Sequence, residues 1–493
     1  MKIHIAFWWV ILLAVYCKAQ FDAQIYYNLY SEYQLAPDDL MQMTPRLVSE
    51  KVRDLAGKYP SLQLKEAGRS VEGRPLHHLA FGDGATKLLL WSQMHGDEPT
   101  ATAALLALFH FFGNQPHDSL VTILRKNLSI HAIIMLNPDG AQRFQRRNMQ
   151  DIDINRDARL VQSPEAQALK RLKEHLDPQF GFNLHDMRGR ETVGKEGKLL
   201  NLAFMAPPFN EADEDSPSRS RAKRLVVIMK ETLEPFIGGH MARYKADYMP
   251  RAFGDAMQNW GISTVLIESG MHDRADPHFI VRMNFIALLR AFDAIATGYI
   301  DDADESGYDS IPLEGKELFD LFIRDVLIIT GSGIPPFRGD IGINVMRRKN
   351  DDTIVKFSQI ADLGDLSITT GRQIIDGQNL IVAPGFIGIS EDSVITEVAV
   401  AAGFTRVIPK KIRQDEGLAL DSLQRFRTEW TVRADEVRRY TSIPANALGV
   451  QRTGLIKSGY TADLIVFRDS DPQSLESVHI KYVIKDGEIV YGL

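Results

Sequence analysis

Cysteine is nearly absent. The 493-residue chain has one, Cys17, and it falls within a stretch that reads as an export signal. Lys2 and His4 give that stretch a basic start, Ile5 to Tyr16 is an apolar run of 12, and Lys18-Ala19-Gln20 offers a cleavage region. A run of 12 is too short to cross ~30 Å of bilayer hydrocarbon as a helix, so residues 1–20 are expected to be a cleaved signal peptide; an uncleaved anchor is the alternative. A lipid-bearing cysteine wants a small residue where Tyr16 stands. Cleavage after Ala19 or Gln20 leaves a mature chain with no thiol, which excludes cysteine catalysis, thiolate metal sites and disulfides. The expected location is secreted or periplasmic. Excess positive charge is absent too: the net charge is −7, which argues against a nucleic-acid partner. Histidine is missing from 279 to 478; twelve of the 13 lie at or before His278 and only His479 follows.

What is present is an ordinary globular balance, 44% hydrophobic and 25% charged, in a chain long enough for two to four domains. Residues 21–300 alternate strand-like apolar runs with helical patterns. Lys87–Trp91, His131–Leu136 and Ser263–Ile267 read as strands, and Thr100–Phe112 and Ser163–His175 as helices, the second started by Ser163-Pro164-Glu165. This alternation predicts an α/β/α sandwich with a mixed, largely parallel sheet. Residues 301–315 are acidic and poor in apolar side chains and read as a linker. Residues 316–493 change to short β-rich runs (Leu327–Ile329, Asn379–Val382, Asp463–Phe467, Tyr482–Ile484) around a helical stretch near 415–439, a smaller β-rich domain.

His95-Gly96-Asp97-Glu98 follows the first of these strands and precedes a helix. A histidine and a glutamate three apart at such a turn can face one point, and zinc accepts imidazole nitrogen and carboxylate oxygen. His-x-x-Glu alone is a weak signal. A catalytic zinc needs a third protein ligand from another strand end, and Asn183-Leu184-His185-Asp186 supplies a histidine there. Thr264-Val265-Leu266-Ile267-Glu268 is a further strand ending in a carboxylate, at the edge where α/β sheets carry their chemistry.

Between these lie Asn137-Pro138-Asp139-Gly140, Arg146-Arg147-Asn148 and Asp153-Ile154-Asn155-Arg156-Asp157, with Gly73-Arg74-Pro75-Leu76 ahead of them. In this order the motifs resemble the carboxypeptidase A-like zinc metallocarboxypeptidases over about residues 40–300. The resemblance implies Zn²⁺ held by His95, Glu98 and His185, and Asp153 hydrogen-bonded behind a ligand imidazole. It implies Arg146 as stabiliser of the tetrahedral oxyanion, with Arg147 as its rival. Asn155 and Arg156 would hold the substrate's terminal carboxylate. Glu268 would be the general base, and Tyr248 would close over the substrate, with Tyr244 as the alternative. Only 90 residues separate His95 from His185, fewer than in the digestive members. Arg251, near the expected side-chain pocket, would either favour an acidic residue or be a surface charge.

The C-terminal part resembles D-aminoacylase-type amidohydrolases. Phe337–Ile343 and Ile375–Ile387 match the opening of that family, and Thr441–Gly449 and Gly454–Leu464 its end. The catalytic barrel is missing. Gly388-Ile389-Ser390 stands where the family has His-x-His, and about 50 residues separate Ser390 from Tyr440 where a barrel takes ≈ 250. The resemblance implies that the flanking stretches form a smaller β-sandwich-like domain over 316–493, an accessory module without the barrel. The resulting reading is a secreted zinc carboxypeptidase acting on peptides, with no membrane span. A cell-wall peptide amidase on the same fold and a catalytically silent peptide-binding protein are the alternatives.

Overall fold

The computed structural model describes residues 21–187, 189–195, 197–328, 337–350, 353–378 and 381–386, and strand segments at 396–397, 400–401, 408–409, 464–469, 478–485 and 488–492. Residues 1–20 with Cys17, the helical stretch near 415–439, Gly388–Ser390, and the amidohydrolase-like stretches 441–449 and 454–463 lie outside them. Among the described residues no helix is long and apolar enough to cross a membrane.

The first part is built on an eight-stranded sheet. Its strands are β1 (Leu62–Arg69), β2 (Pro75–Phe81), β3 (Thr86–Ser92), β4 (Leu128–Ile134), β5 (Phe180–Asp186), β8 (Leu202–Met205), β9 (Met241–Arg243) and β10 (Ser263–Ser269), while β6 (Glu191–Val193) and β7 (Lys198–Leu199) lie off the sheet. The order is β1-β2-β4-β3-β5-β10-β8-β9. The centre, β4-β3-β5-β10, is parallel, and antiparallel strands complete both sides. Side chains alternate across the pleat and feed two cores. Leu88 and Leu90 pack with the helices Thr100–Asn114, Pro217–Ile237 and Phe279–Ala296, whereas Leu89 and Trp91 pack with Pro164–Leu176 and Phe253–Asn259. The result is the three-layer α/β/α sandwich with a mixed, largely parallel sheet that the alternation predicts.

Helix starts follow local chemistry. The Ser163 hydroxyl accepts from Ala166 N (3.3 Å), with Pro164 in the first turn, so the helix runs Pro164–Leu176. The strand expected over His131–Leu136 is instead Leu128–Ile134, because Met135 takes a φ of 63° that ends the ladder.

The second part is built of strands. β12 (Phe319–Ile328), β13 (Phe337–Asn350), β14 (Thr353–Gly364), β15 (Gly371–Asp376) and β16 (Ile381–Phe386) belong to a nine-stranded sheet with the later segments 400–401, 464–469, 478–485 and 488–492. Its core includes Leu321, Ile323, Ile341, Ile343 and Ile360. Residues 301–315 are more tightly packed than a linker of that composition suggests. Tyr308 and Ile311 are buried, and Tyr308 Oη accepts from Ala206 N at 3.0 Å. β11 (Glu314–Glu317) then pairs with β6, so a strand entering the second part joins β6 and β7 in a three-stranded sheet.

Candidate metal centre

His95 lies just beyond the C-terminal end of β3, His185 near the end of β5 and Glu268 near the end of β10. His185 and Glu268 are register neighbours. These are C-terminal ends of adjacent parallel strands, where open α/β sheets bind ligands.

The loop after β3 is shaped by close backbone packing. A Cβ on Gly96 would stand 2.1 Å from the carbonyl carbon of Gly140, so only glycine lets the two segments meet. Gln93, with φ 51°, donates from Nε2 to Gly96 O (2.9 Å) and accepts from Thr102 Oγ1 (2.9 Å). On the other side Asn137 caps the helix Pro138–Arg143 through Gly140 N (2.9 Å) and donates to Arg146 O (3.2 Å). Asp139 is fully buried and accepts from Ser70 Oγ (2.8 Å), Glu72 N (2.9 Å) and Arg74. The Asn137–Gly140 and Gly73–Leu76 motifs are thus braces that hold Arg146 and His95 in register.

His95, Glu98 and His185 are buried, and one ligand atom from each lies within 4.8 Å of the others. His95 Nδ1 is 2.6 Å from Glu98 Oε1 and His185 Nδ1 is 2.7 Å from Glu98 Oε2. His95 Nε2 turns away to Asp153 Oδ1 at 3.1 Å. Asp153 also takes Arg146 Nε (3.1 Å) and Asn155 N (2.9 Å). Two imidazoles and a carboxylate converging in a buried cup form a set that suits zinc, and the carboxylate behind His95 fixes its tautomer.

Burial alone would raise Glu98, but the two imidazoles hold it at about 2. Burial lowers His185; at His95 it is outweighed by Glu98 and Asp153, which raise it. Glu268 is pushed well above the usual carboxylate range by burial and by Glu98 and Asp186. The Glu268 carboxyl therefore holds its proton more tightly than an exposed carboxyl does.

The remaining expected residues divide. Arg146 reaches the cup, with Nη1 3.1 Å from His95 Nδ1 and 3.5 Å from Glu98 Oε1, whereas Arg147 turns out to Asp151 O (2.8 Å). Asn155 and Arg156 line the same cleft. Asn155 Oδ1 accepts from Phe253 N (3.0 Å) and its Nδ2 is 3.4 Å from His185 Nε2. Tyr248 is not among the cleft-lining residues; Tyr244 is, raised to about 12 by burial and by Glu268 and Glu314. Asp247 and Met249, on either side of Tyr248, line the cleft as well, so the loop after β9 carries both tyrosines along it. Arg251 is exposed, and its carbonyl holds Ala158 N (3.0 Å).

Three lining residues carried no expectation. Asp186 Oδ2 accepts from Thr100 N (3.0 Å) and Oγ1 (2.8 Å), tying the helix Thr100–Asn114 to β5, and burial with nearby Glu98 pushes it up to about 7. Asp255 accepts from Met249 N (2.8 Å), and burial raises it to about 6. Asn183 is 2% exposed and its Oδ1 has no hydrogen-bond partner. The quartet 183–186 at a strand end was the signal for Asn183, which lies two residues before His185 and so shares its face of the strand.

Residues 48–179 match the family model described as zinc carboxypeptidase, and residues 430–491 match that of the amidohydrolase family. Both halves of the resemblance read from the sequence are therefore found. Among curated proteins, Carboxypeptidase SOL1 of Arabidopsis thaliana is 31% identical over 102 residues, 19% of this chain and 21% of its own length. Carboxypeptidase E of Caenorhabditis elegans is 31% identical over 189 residues, 33% of this chain and 40% of its own. The chain thus spans about a fifth to two fifths of these relatives. A solved metallo-carboxypeptidase from Burkholderia cenocepacia is 18% identical with a TM-score of 0.41, over 51% of this chain and 68% of that one.

Proposed function

We propose that this chain is an exported, zinc-dependent carboxypeptidase that removes C-terminal residues from peptides, with residues 1–20 as its signal. One observation carries the reading. His95 and Glu98 of the buried cup, with His185 on Glu98, share a single cleft with Glu268, Arg146 and Arg156. A zinc ion held by that cup supplies Lewis acidity, which polarises a carbonyl and makes water a usable nucleophile at neutral pH. Glu268 takes the proton from the attacking water and hands it to the leaving amine nitrogen. Arg146, steadied by Asp153, donates from Nη1 to the oxygen that becomes anionic. Arg156, whose Nη1 also donates to Asn155 O (2.7 Å), holds the substrate's terminal carboxylate with Asn155 beside it. Tyr244 covers the bound residue.

The terminal carboxylate is the discriminating requirement. A lost charged hydrogen bond costs roughly 1.5–3 kcal/mol, about tenfold or more in rate or binding. Peptides with a C-terminal amide should be cleaved at least tenfold more slowly than the free acids, and Arg156→Ala should shrink that difference. Mass spectrometry of digests of paired peptides, with cell-wall peptides included, checks this. Equal cleavage of acid and amide would leave an endopeptidase or an amidase on the same site.

A further inference from the structure

The metal cup has a weak point in its own sequence. Gly96 and Asp97 are the residues that separate the ligands His95 and Glu98. Position 96 has to be glycine, because a Cβ there would stand 2.1 Å from the carbonyl carbon of Gly140. Glycine is also the residue least restrained by its own backbone. Nothing within Gly96 therefore fixes the angle at which the chain passes from one ligand to the next, and bonds from outside must do so. The Gly96 N–H has Arg146 O at 3.4 Å, a long bond. The Gly96 carbonyl has the shorter one, accepting from Gln93 Nε2 at 2.9 Å.

Gln93 is placed to make that bond. Its φ of 51° is left-handed, which is uncommon for a residue other than glycine. The chain leaves β3 there, and Gln93 O accepts from Asn137 N at 3.0 Å. The side chain is 1% exposed and bonded at both ends of its amide, with Oε1 accepting from Thr102 Oγ1 at 2.9 Å. A carbonyl can only accept, so the bond to Gly96 O settles which end of the amide is nitrogen. Thr102 Oγ1 gives its proton to Gln93, so at 2.9 Å it accepts from Ser92 Oγ. One run of donors thus leads from Ser92 through Thr102 and Gln93 to the carbonyl between the two ligands. Ser92 and Thr102 are fully buried. In such surroundings each bond is stronger than it would be in water, and linked bonds strengthen one another.

We propose that Gln93 is a positioning residue for the metal: by holding the Gly96 carbonyl it sets the spacing of His95 and Glu98 before an ion arrives. The assignment rests on the zinc cup of the peptidase reading. Gln93 acts through Gly96, and its side chain bonds to neither His95 nor Glu98. The left-handed backbone aims the amide back along the loop, and the two side-chain bonds offset the strain of that backbone. Without them the glycine is free to turn, and metal binding has to order the loop as well as fill it. A site held in shape beforehand does not carry that cost.

The test uses the full-length protein and two substitutions at Gln93. Gln93→Met keeps the length of the side chain and removes both of its bonds. Gln93→Gly removes them and relieves the left-handed backbone, which keeps the test open where methionine strains the fold. Thr102→Val is the control: it breaks the donor run one link earlier and leaves the bond to Gly96 in place. Zinc affinity, read by titration calorimetry, should fall about tenfold or more in both Gln93 variants and by less than about threefold in Thr102→Val. Cobalt(II) bound in place of zinc should show an altered visible absorption spectrum in the Gln93 variants alone, a change that lost stability by itself does not produce. Equal zinc affinity across the three variants would overturn the proposal. If zinc binds and no peptide is cleaved, the peptidase reading falls by itself, and the calorimetry still decides Gln93. If the unaltered protein binds no zinc, the cup falls and Gln93 with it.

Discussion

At His95 one imidazole serves two carboxylates, with Nδ1 toward Glu98 and Nε2 toward Asp153. The outer carboxylate is worth testing first, because it touches neither the metal position nor the substrate. Removing such a partner typically costs 10–100-fold in metal affinity. Asp153→Ala should therefore weaken zinc binding by about that factor while leaving the fold intact; competition with a chromogenic chelator measures it, and unchanged affinity would remove Asp153 from the site. A second pair of imidazoles lies far from this chemistry. His78 Nε2 meets His131 Nδ1 at 2.9 Å, between neighbouring β2 and β4. Burial, then the neighbouring charges of His131 and Lys65, holds His78 at about 4; burial and Lys65 hold His131 at about 4. An unfolded histidine titrates near 6.5. Between about 6.5 and 4 the unfolded chain binds protons that the folded chain refuses, so stability falls as pH falls through that window. The loss is on the order of 2–3 kcal/mol for the buried His78 at the acid end and smaller for the half-buried His131, which solvent screens. Urea midpoints at pH 7 and pH 4.5 should differ accordingly, and His78→Gln should flatten the dependence.

The segments that carry the site are set by glycine contacts as much as by their strands. Gly96→Ala pushes a methyl into the backbone of Gly140, an overpacking that costs about 1–3 kcal/mol and displaces the loop between His95 and Glu98. The variant should lose both melting temperature and zinc content, read by calorimetry and metal analysis; retention of both would show that the loop relaxes elsewhere. This element also explains what could be read in advance. Strands β3, β5 and β10 were legible because each is an apolar run that ends in a residue too polar to bury without a purpose. His95, His185 and Glu268 followed from that and from the family likeness. The end of β4 was not legible, since nothing about Met135 announces a left-handed turn. Tyr244 and Tyr248 could not be told apart because both sit in or beside an irregular loop whose path has no period. Arg146 and Arg147 are separated by side-chain direction, which two adjacent arginines do not reveal: Arg146 reaches His95 and Glu98, and Arg147 turns out to Asp151 O.

At the scale of the molecule, the unread feature was the junction. No pattern in residues 301–318 announces that Tyr308 is core or that β11 completes a sheet with β6. The Arg190–Asp320 pair at this junction is 12% and 11% exposed, and removing one partner of such a pair costs on the order of 3 kcal/mol. Arg190→Ala should loosen the second part, seen as faster limited proteolysis with little change in the melting of the first.

The strand that ends in His185 runs on, within five residues, into the strand to which β11 is sewn. The cup and the seam therefore share a single stretch of backbone. If metal at the cup favours the shape of that stretch which the seam requires, then by reciprocity the seam would favour the metal by the same factor. Zinc affinity would in that case be a property of both parts of the chain together.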